Sequence, residues 1–158
     1  MPAPQRIAPF AFAISGDVLV ADEELATGRF ILLHDPAGND AWGGTFRCVT
    51  FARAEVEADM AADPVLPSVG WSWLTEALEA QGSDYVAASG SVTVVRSEGF
   101  GEMDADGSNA QIEVRASWTP LSEKGPHTTA WTHLLCAIAG LPPLAPGVVP
   151  LQRRRGPR

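Results

Sequence analysis

Gln111-Ile112-Glu113-Val114-Arg115-Ala116-Ser117-Trp118 alternates without a break, with Ile112, Val114, Ala116 and Trp118 on one side and Gln111, Glu113, Arg115 and Ser117 on the other. A strand turns successive side chains to opposite faces, so one side of this strand is dry and the other wet. Such a pattern belongs to an antiparallel sheet covered on one face, because parallel sheets are buried on both. Upstream, Tyr85 to Gly99 has strand composition, and Phe10, Phe12 and Ile14 alternate with small residues. Two further apolar runs, Arg29 to Leu33 and Thr45 to Glu57, lie between turn-forming stretches: Gly16-Asp17, His34-Asp35-Pro36-Ala37-Gly38 and Trp42-Gly43-Gly44. These connections are too short for parallel crossovers, so the first three strands form a meander.

Two segments switch to helical spacing. Pro64 and Pro67 bracket a loop, after which Ser68 reads as an N-cap and Gly82 as a C-terminal stop, with Trp71, Leu74 and Leu78 at i, i+3 and i+7. After Pro126, Thr128 to Ala139 places Trp131, Leu134, Leu135 and Ile138 at i, i+3, i+4 and i+7, and Gly140 ends the pattern. The order β-β-β-α-β-β-α predicts an α+β, two-layer domain, an antiparallel sheet of about five strands with helices on one face, over residues 1–140. Residues 141–158 read as a Pro-rich extended segment and a basic C-terminal tail.

The chain has 158 residues, which fits one domain better than two. Of its 11 Lys and Arg, four (Arg153, Arg154, Arg155 and Arg158) crowd the C-terminus, leaving the body at −12. An acidic body repels phosphate polymers, so the folded part is expected to bind no nucleic acid. No apolar run approaches the ~18 residues of a membrane span, so no membrane partner is expected. The stretch Ile7 to Ile14 after Arg6 superficially matches a secretion signal, but Pro9 interrupts it and Asp17, Asp22, Glu23 and Glu24 follow. Cys48 and Cys136, 88 residues apart and without a CxxC pattern, read as buried thiols of a reducing compartment. The expected location is cytoplasmic.

Catalytic and metal patterns are missing: there is no GxSxG elbow and no GxxxxGK[ST] loop, and neither cysteine is expected to have a lowered pKa. His127 and His133, six apart, fall on different helix faces and are expected to tolerate substitution. His34-Asp35 reads as a turn start, and Asp104-Ala105-Asp106-Gly107 as a hairpin turn, since Arg115 stands where a calcium loop needs Glu. Glu55, Glu57 and Asp59 alternate at a strand end and are expected to share a face and blunt edge pairing. No catalytic residue, cofactor or metal ligand is assigned.

Five tryptophans are the least ordinary feature. Periodicity explains Trp71, Trp118 and Trp131 as core, whereas Trp42 lies in a Gly-rich turn and Trp73 points well away from Trp71. Trp42 and Trp73 are therefore the candidate partner surface. Arg47, Arg53 and Arg115 on polar strand faces are the candidate anion-binding residues, Arg47 and Arg53 sharing a face because they differ by six.

Glu24-Leu25-Ala26-Thr27-Gly28-Arg29-Phe30, Leu33-His34-Asp35-Pro36, Trp42-Gly43-Gly44-Thr45-Phe46-Arg47-Cys48-Val49-Thr50 and Gly70-Trp71-Ser72-Trp73-Leu74 resemble an uncharacterised family of high-GC Gram-positive bacteria, domain-of-unknown-function family 3000. Arg115-Ala116-Ser117-Trp118-Thr119-Pro120 and Ala139-Gly140-Leu141-Pro142-Pro143 extend the resemblance over most of the chain. It implies no reaction, cofactor or catalytic residue. Members usually begin earlier with a further helical segment, which implies one left out before Met1-Pro2-Ala3-Pro4. The element order also resembles the small fold of secretion chaperones, an analogy of fold alone that favours protein binding. Two functions are expected from this: a non-catalytic protein-binding adaptor or chaperone-like module that binds a protein partner or self-associates through the sheet face or the Trp42 and Trp73 region, or a small-ligand enzyme or carrier whose arginines hold an anionic metabolite in a pocket between sheet and helices.

Overall fold

The alternating octapeptide lies within strand β5 (Ser108–Pro120), second from one edge of a five-stranded sheet. The computed structural model describes residues 7–102 and 107–141. Its other strands are β1 (Phe10–Val20), β2 (Glu23–Asn39), β3 (Gly44–Val56) and β4 (Tyr85–Glu98), and its helices α1 (Ala58–Ala61), α2 (Leu66–Ala80) and α3 (Lys124–Ile138). The order across the sheet is β1-β2-β3-β5-β4, every neighbour antiparallel. The protein is α+β, with the element order expected and one extra turn of helix, α1, ahead of α2. The segment expected over 141–158 lies, from residue 142 on, outside the described residues, as does the Asp104-Ala105-Asp106 turn.

Both longer helices cover the face built from Ala26, Phe30, Cys48, Ala52, Ile112, Val114 and Trp118, all buried. Glycines let them come close. A Cβ at Gly28 would strike Leu135 of α3, and one at Gly70 of α2 would sit 3.1 Å from Ile112 and Val92. Leu74, Leu78, Trp131, Leu134, Leu135 and Ile138 are buried as their spacing predicts, and Trp71 packs half-buried on this core. Gly82 (φ +62) and Gly140 (φ +78) end the helices in the left-handed conformation that glycine adopts without penalty.

Several boundaries depart from expectation. Gly16-Asp17 is not a turn: β1 runs through it, Gly16 leaving room for the Trp131 ring, whose Cη2 would be 3.2 Å from an added Cβ. The reversal comes at Ala21 (φ +52) and Asp22 (φ +65), two positive-φ residues whose twist matches a tight hairpin. Ser68 is not the N-cap of α2, which starts at Leu66 with Pro67 in its first turn, after Asp63 Oδ1 has accepted the Val65 N–H at 3.0 Å. Helix α3 begins at Lys124, with Pro126 in its first turn rather than before it. Glu55, Glu57 and Asp59 do not share a strand face, since β3 ends at Val56 and Asp59 belongs to α1.

The open sheet face as candidate functional site

Every residue opposite in register to a core-facing residue's neighbour points away from the helices, and that second face is uncovered over its centre. Three rows across it carry the chemistry. Asp17, Thr27, Arg53, Glu113 and Thr93 oppose one another from β1 to β4, then Ser15, Arg29, Phe51, Arg115 and Ser91, then Ala13, Ile31, Val49, Ser117 and Ser89. Of six Lys and Arg side chains among the described residues, Arg29, Arg47, Arg53 and Arg115 all project here. In an acidic protein this gathers positive charge on one face.

A bulge builds the β4 side of this face. Val86 pairs with Thr119 but Ser89 pairs with Ser117, so one extra residue is inserted, and Ala87 takes φ +55. The insertion switches parity and brings Ser89 and Ser91 onto the open face, the kind of re-aiming that bulges perform beside binding sites. Gly90 between them has no room for a Cβ, which would collide with the Arg115 carbonyl and lie 2.9 Å from Trp71 Cζ3.

An open trough of about 340 Å³ lies over the centre of this face, floored by Ile31, Val49 and Phe51 and rimmed by Arg29, Arg115, Ser89 and Ser117. The Arg115 guanidinium lies over the Phe51 ring, 5.2 Å from its centroid, a cation–π contact that leaves its N–H groups to bind elsewhere.

The arginines singled out from sequence therefore play three parts. Arg115 rims the trough. Arg53 is exposed but directly opposite Glu113, one row away from the trough. Arg47 is 8% exposed and donates from Nη1 to Thr119 Oγ1 at 2.9 Å and from Nη2 to Ser117 Oγ at 2.9 Å and Ser89 Oγ at 3.5 Å. Its partners are hydroxyls, not carboxylates, and burial pulls its pKa below the usual value. It stands one row beyond Val49 and reaches two of the trough's serines. All three lie on the face away from the helices, so they line no pocket between sheet and helices. Arg29, which the sequence reading did not single out, completes the rim, and only cross-strand register identifies it.

The exposure expected of Trp42 is corrected. Trp42 is 7% exposed, and its carbonyl accepts from Thr119 Oγ1 at 2.6 Å, tying the turn between β2 and β3 to β5. Trp73 is half-buried against the core. His34 and Asp35 do not act as a pair: the His34 ring stacks on Phe46 at 4.0 Å, and Asp35 Oδ1 accepts from the Ala37 N–H. Lys124 covers Phe46 at 4.2 Å. Cys48 is fully buried, with burial pushing its thiol up to about 12, so it is no nucleophile. Cys136 is half-buried and free.

Among the described residues no three His, Cys, Asp or Glu side chains converge as metal ligands, and no helix is long and apolar enough to cross a membrane. No curated protein and no solved structure matches the chain. The profile of one family, described as a protein of unknown function (DUF3000), matches residues 1–149, and the chain belongs to that family.

Proposed function

We propose that this protein is a non-catalytic protein-binding module of the cytoplasm, adaptor-like or chaperone-like, that receives its partner on the open face of its sheet. The observation that carries the reading is the trough itself: Ile31, Val49 and Phe51, half-buried, form an apolar floor between Arg29 and Arg115. An apolar centre with a charged rim is the anatomy of a protein interface. The buried Cys48 thiol, pushed up by burial, supports a role without catalysis at that cysteine. The likeness of element order to secretion chaperones adds the weight of analogy only.

A carrier of a small anionic metabolite is the second reading, favoured by the trough's volume of about 340 Å³. That volume stands at the lower end of the roughly 300–1,000 Å³ typical of ligand pockets, which enclose most of their ligand, whereas this trough lies open. The test is capture from native lysate by the wild-type chain and by a Phe51→Asp variant. A stoichiometric protein held by the first and lost by the second supports the reading. Equal capture by both, or a small molecule in place of a protein, overturns it.

A further inference from the structure

The trough has a feature that a general protein-binding face does not need. Across the rows of Phe51 and Val49, two exposed guanidiniums and three hydroxyls, of Ser89, Ser91 and Ser117, border the floor, and no carboxylate occurs at any position of those rows. One row further, Glu113 stands directly opposite Arg53. From the row on the other side, Arg47 donates to Ser117 Oγ and Ser89 Oγ. A hydroxyl that accepts from a cation keeps its own proton for another partner, so both serines are set to donate outward into the trough.

Arg29 and Arg115 come from different strands. They stand on strands β2 and β5 with β3 between them, a Cα separation of about 9.5 Å at two strand spacings. A phosphate needs donors aimed at a single centre, whereas two separated guanidiniums each fit a carboxylate of their own. Alternate residues of an extended chain put side chains on one face about 6.8 Å apart, and the inward lean of Arg115 over Phe51 narrows the difference.

From this arrangement we infer that the open face recognises an acidic peptide segment, two carboxylates at alternate positions pairing with Arg29 and Arg115 while an apolar neighbour rests on Ile31, Val49 and Phe51. The inference rests on the reading of this face as the partner surface and names the chemistry of that partner. Charge complementarity selects the occupant: a protein whose acidic residues outnumber its basic ones meets an acidic segment only where its cations are gathered.

The experiment titrates the full chain, isotope-labelled, with a blocked Glu-Ser-Glu-Leu-Leu peptide, in which two carboxylates and one leucine share a face, and with its Gln-Ser-Gln-Leu-Leu counterpart. The acidic peptide should move the amide resonances of Val49, Phe51, Ser89 and Ser117, and the neutral peptide should bind about tenfold more weakly or worse. Arg29→Gln and Arg115→Gln should each weaken the acidic peptide about tenfold, whereas Arg53→Gln, which removes the same net charge from another exposed position, should change it less than about twofold. Equal binding of the two peptides, binding of neither, equal loss in all three variants, or full displacement by millimolar inorganic phosphate overturns the inference. If lysate capture is lost in Phe51→Asp but intact in Arg29→Gln and Arg115→Gln, the sheet-face reading survives and the acidic-segment inference does not.

Discussion

The indole Nε1–H of Trp118 donates to Nδ1 of His127 at 2.9 Å, and neither side chain has any exposed surface. Strand β5 and the first turn of α3 are thereby joined through a buried polar pair, with the rings 6.4 Å apart and nearly parallel. Because Nδ1 accepts, the ring proton resides on Nε2, which faces Ser122 Oγ at 3.2 Å. The histidine, expected from its spacing alone to tolerate change, is a core residue. His127→Ala should cost about 2–4 kcal/mol, since it leaves a cavity and an unpaired indole N–H, and should lower the melting temperature by roughly 5–15 °C. His127→Asn, whose amide oxygen can stand near Nδ1, should recover part of the loss. A melt of His127→Ala within about 2 °C of wild type would show that the pair holds nothing together.

The same pair gives stability a pH dependence with a defined sign. Burial, and after it the nearby Lys124 charge, lowers the His127 pKa from its ordinary value of 6.5. Above pH 6.5 the imidazole is neutral in both folded and unfolded chains, and its contribution is complete. As pH falls below 6.5 and toward the lower folded value, the unfolded chain takes up a proton that the folded chain refuses, and stability declines by at most about 1.4 kcal/mol per pH unit. Urea unfolding at pH 7.5 and pH 5 should show the loss, and the His127→Asn variant should show less of it. Identical pH profiles for the two proteins would rule out His127 as the source.

Trp42 now belongs with the structural residues. Its carbonyl is held by Thr119, its side chain is buried although it lies outside the main core cluster, and the glycines beside it in sequence do not leave it bare. Trp42→Ser should destabilise the fold by about 3–5 kcal/mol, the range for removing a buried tryptophan, and should appear in a thermal melt as a fall of roughly 10 °C or more. A folded variant with an unshifted melt and a specific binding defect would return Trp42 to the partner surface.

Strand β5, the apolar stripes of α2 and α3 and the antiparallel meander were legible because each is a local pattern imposed by a sheet covered on one face. Ile112 and Trp118 report that face wherever their partners lie. What escaped was set by pairs far apart in sequence. Nothing within Arg29-Phe30-Ile31 announces that Phe51 and then Arg115 follow it across the sheet, and nothing around Arg53 names Glu113 as its neighbour. The bulge was hidden for a related reason, because Ala87-Ala88 carries no glycine to mark a positive φ, and its effect is visible only as the shift between Val86 and Ser89 against β5.

Gly90 shows how tightly that bulged strand is seated. Its missing Cβ would meet the Arg115 carbonyl, the Ala116 Cα at 2.8 Å and the Trp71 ring at 2.9 Å, so neither backbone nor indole can yield cheaply. Gly90→Ala should therefore destabilise by about 1–3 kcal/mol or more, the usual penalty of overpacking, and should shift resonances of both Trp71 and Ser89. A neutral outcome would mean that β4 is free to move away from β5.

Arg47 separates stability from recognition. A buried guanidinium carries a desolvation penalty, and here its partners Thr119, Ser117 and Ser89 are neutral hydroxyls with no opposite charge to offset it. Arg47→Met replaces the charge with an apolar side chain of similar length and strands no buried ion, while Thr119 keeps its bond to the Trp42 carbonyl. The variant should consequently melt within about 3 °C of wild type or above it, where removal of one member of a buried ion pair typically costs about 3–5 kcal/mol. Ser89 and Ser117 would at the same time lose the cation that orients their protons outward, so an acidic ligand in the trough should bind several-fold more weakly. Calorimetry and peptide titration on the same preparation read the two effects separately. A large loss of stability would place Arg47 among the structural residues, with the charge serving the fold rather than the open face.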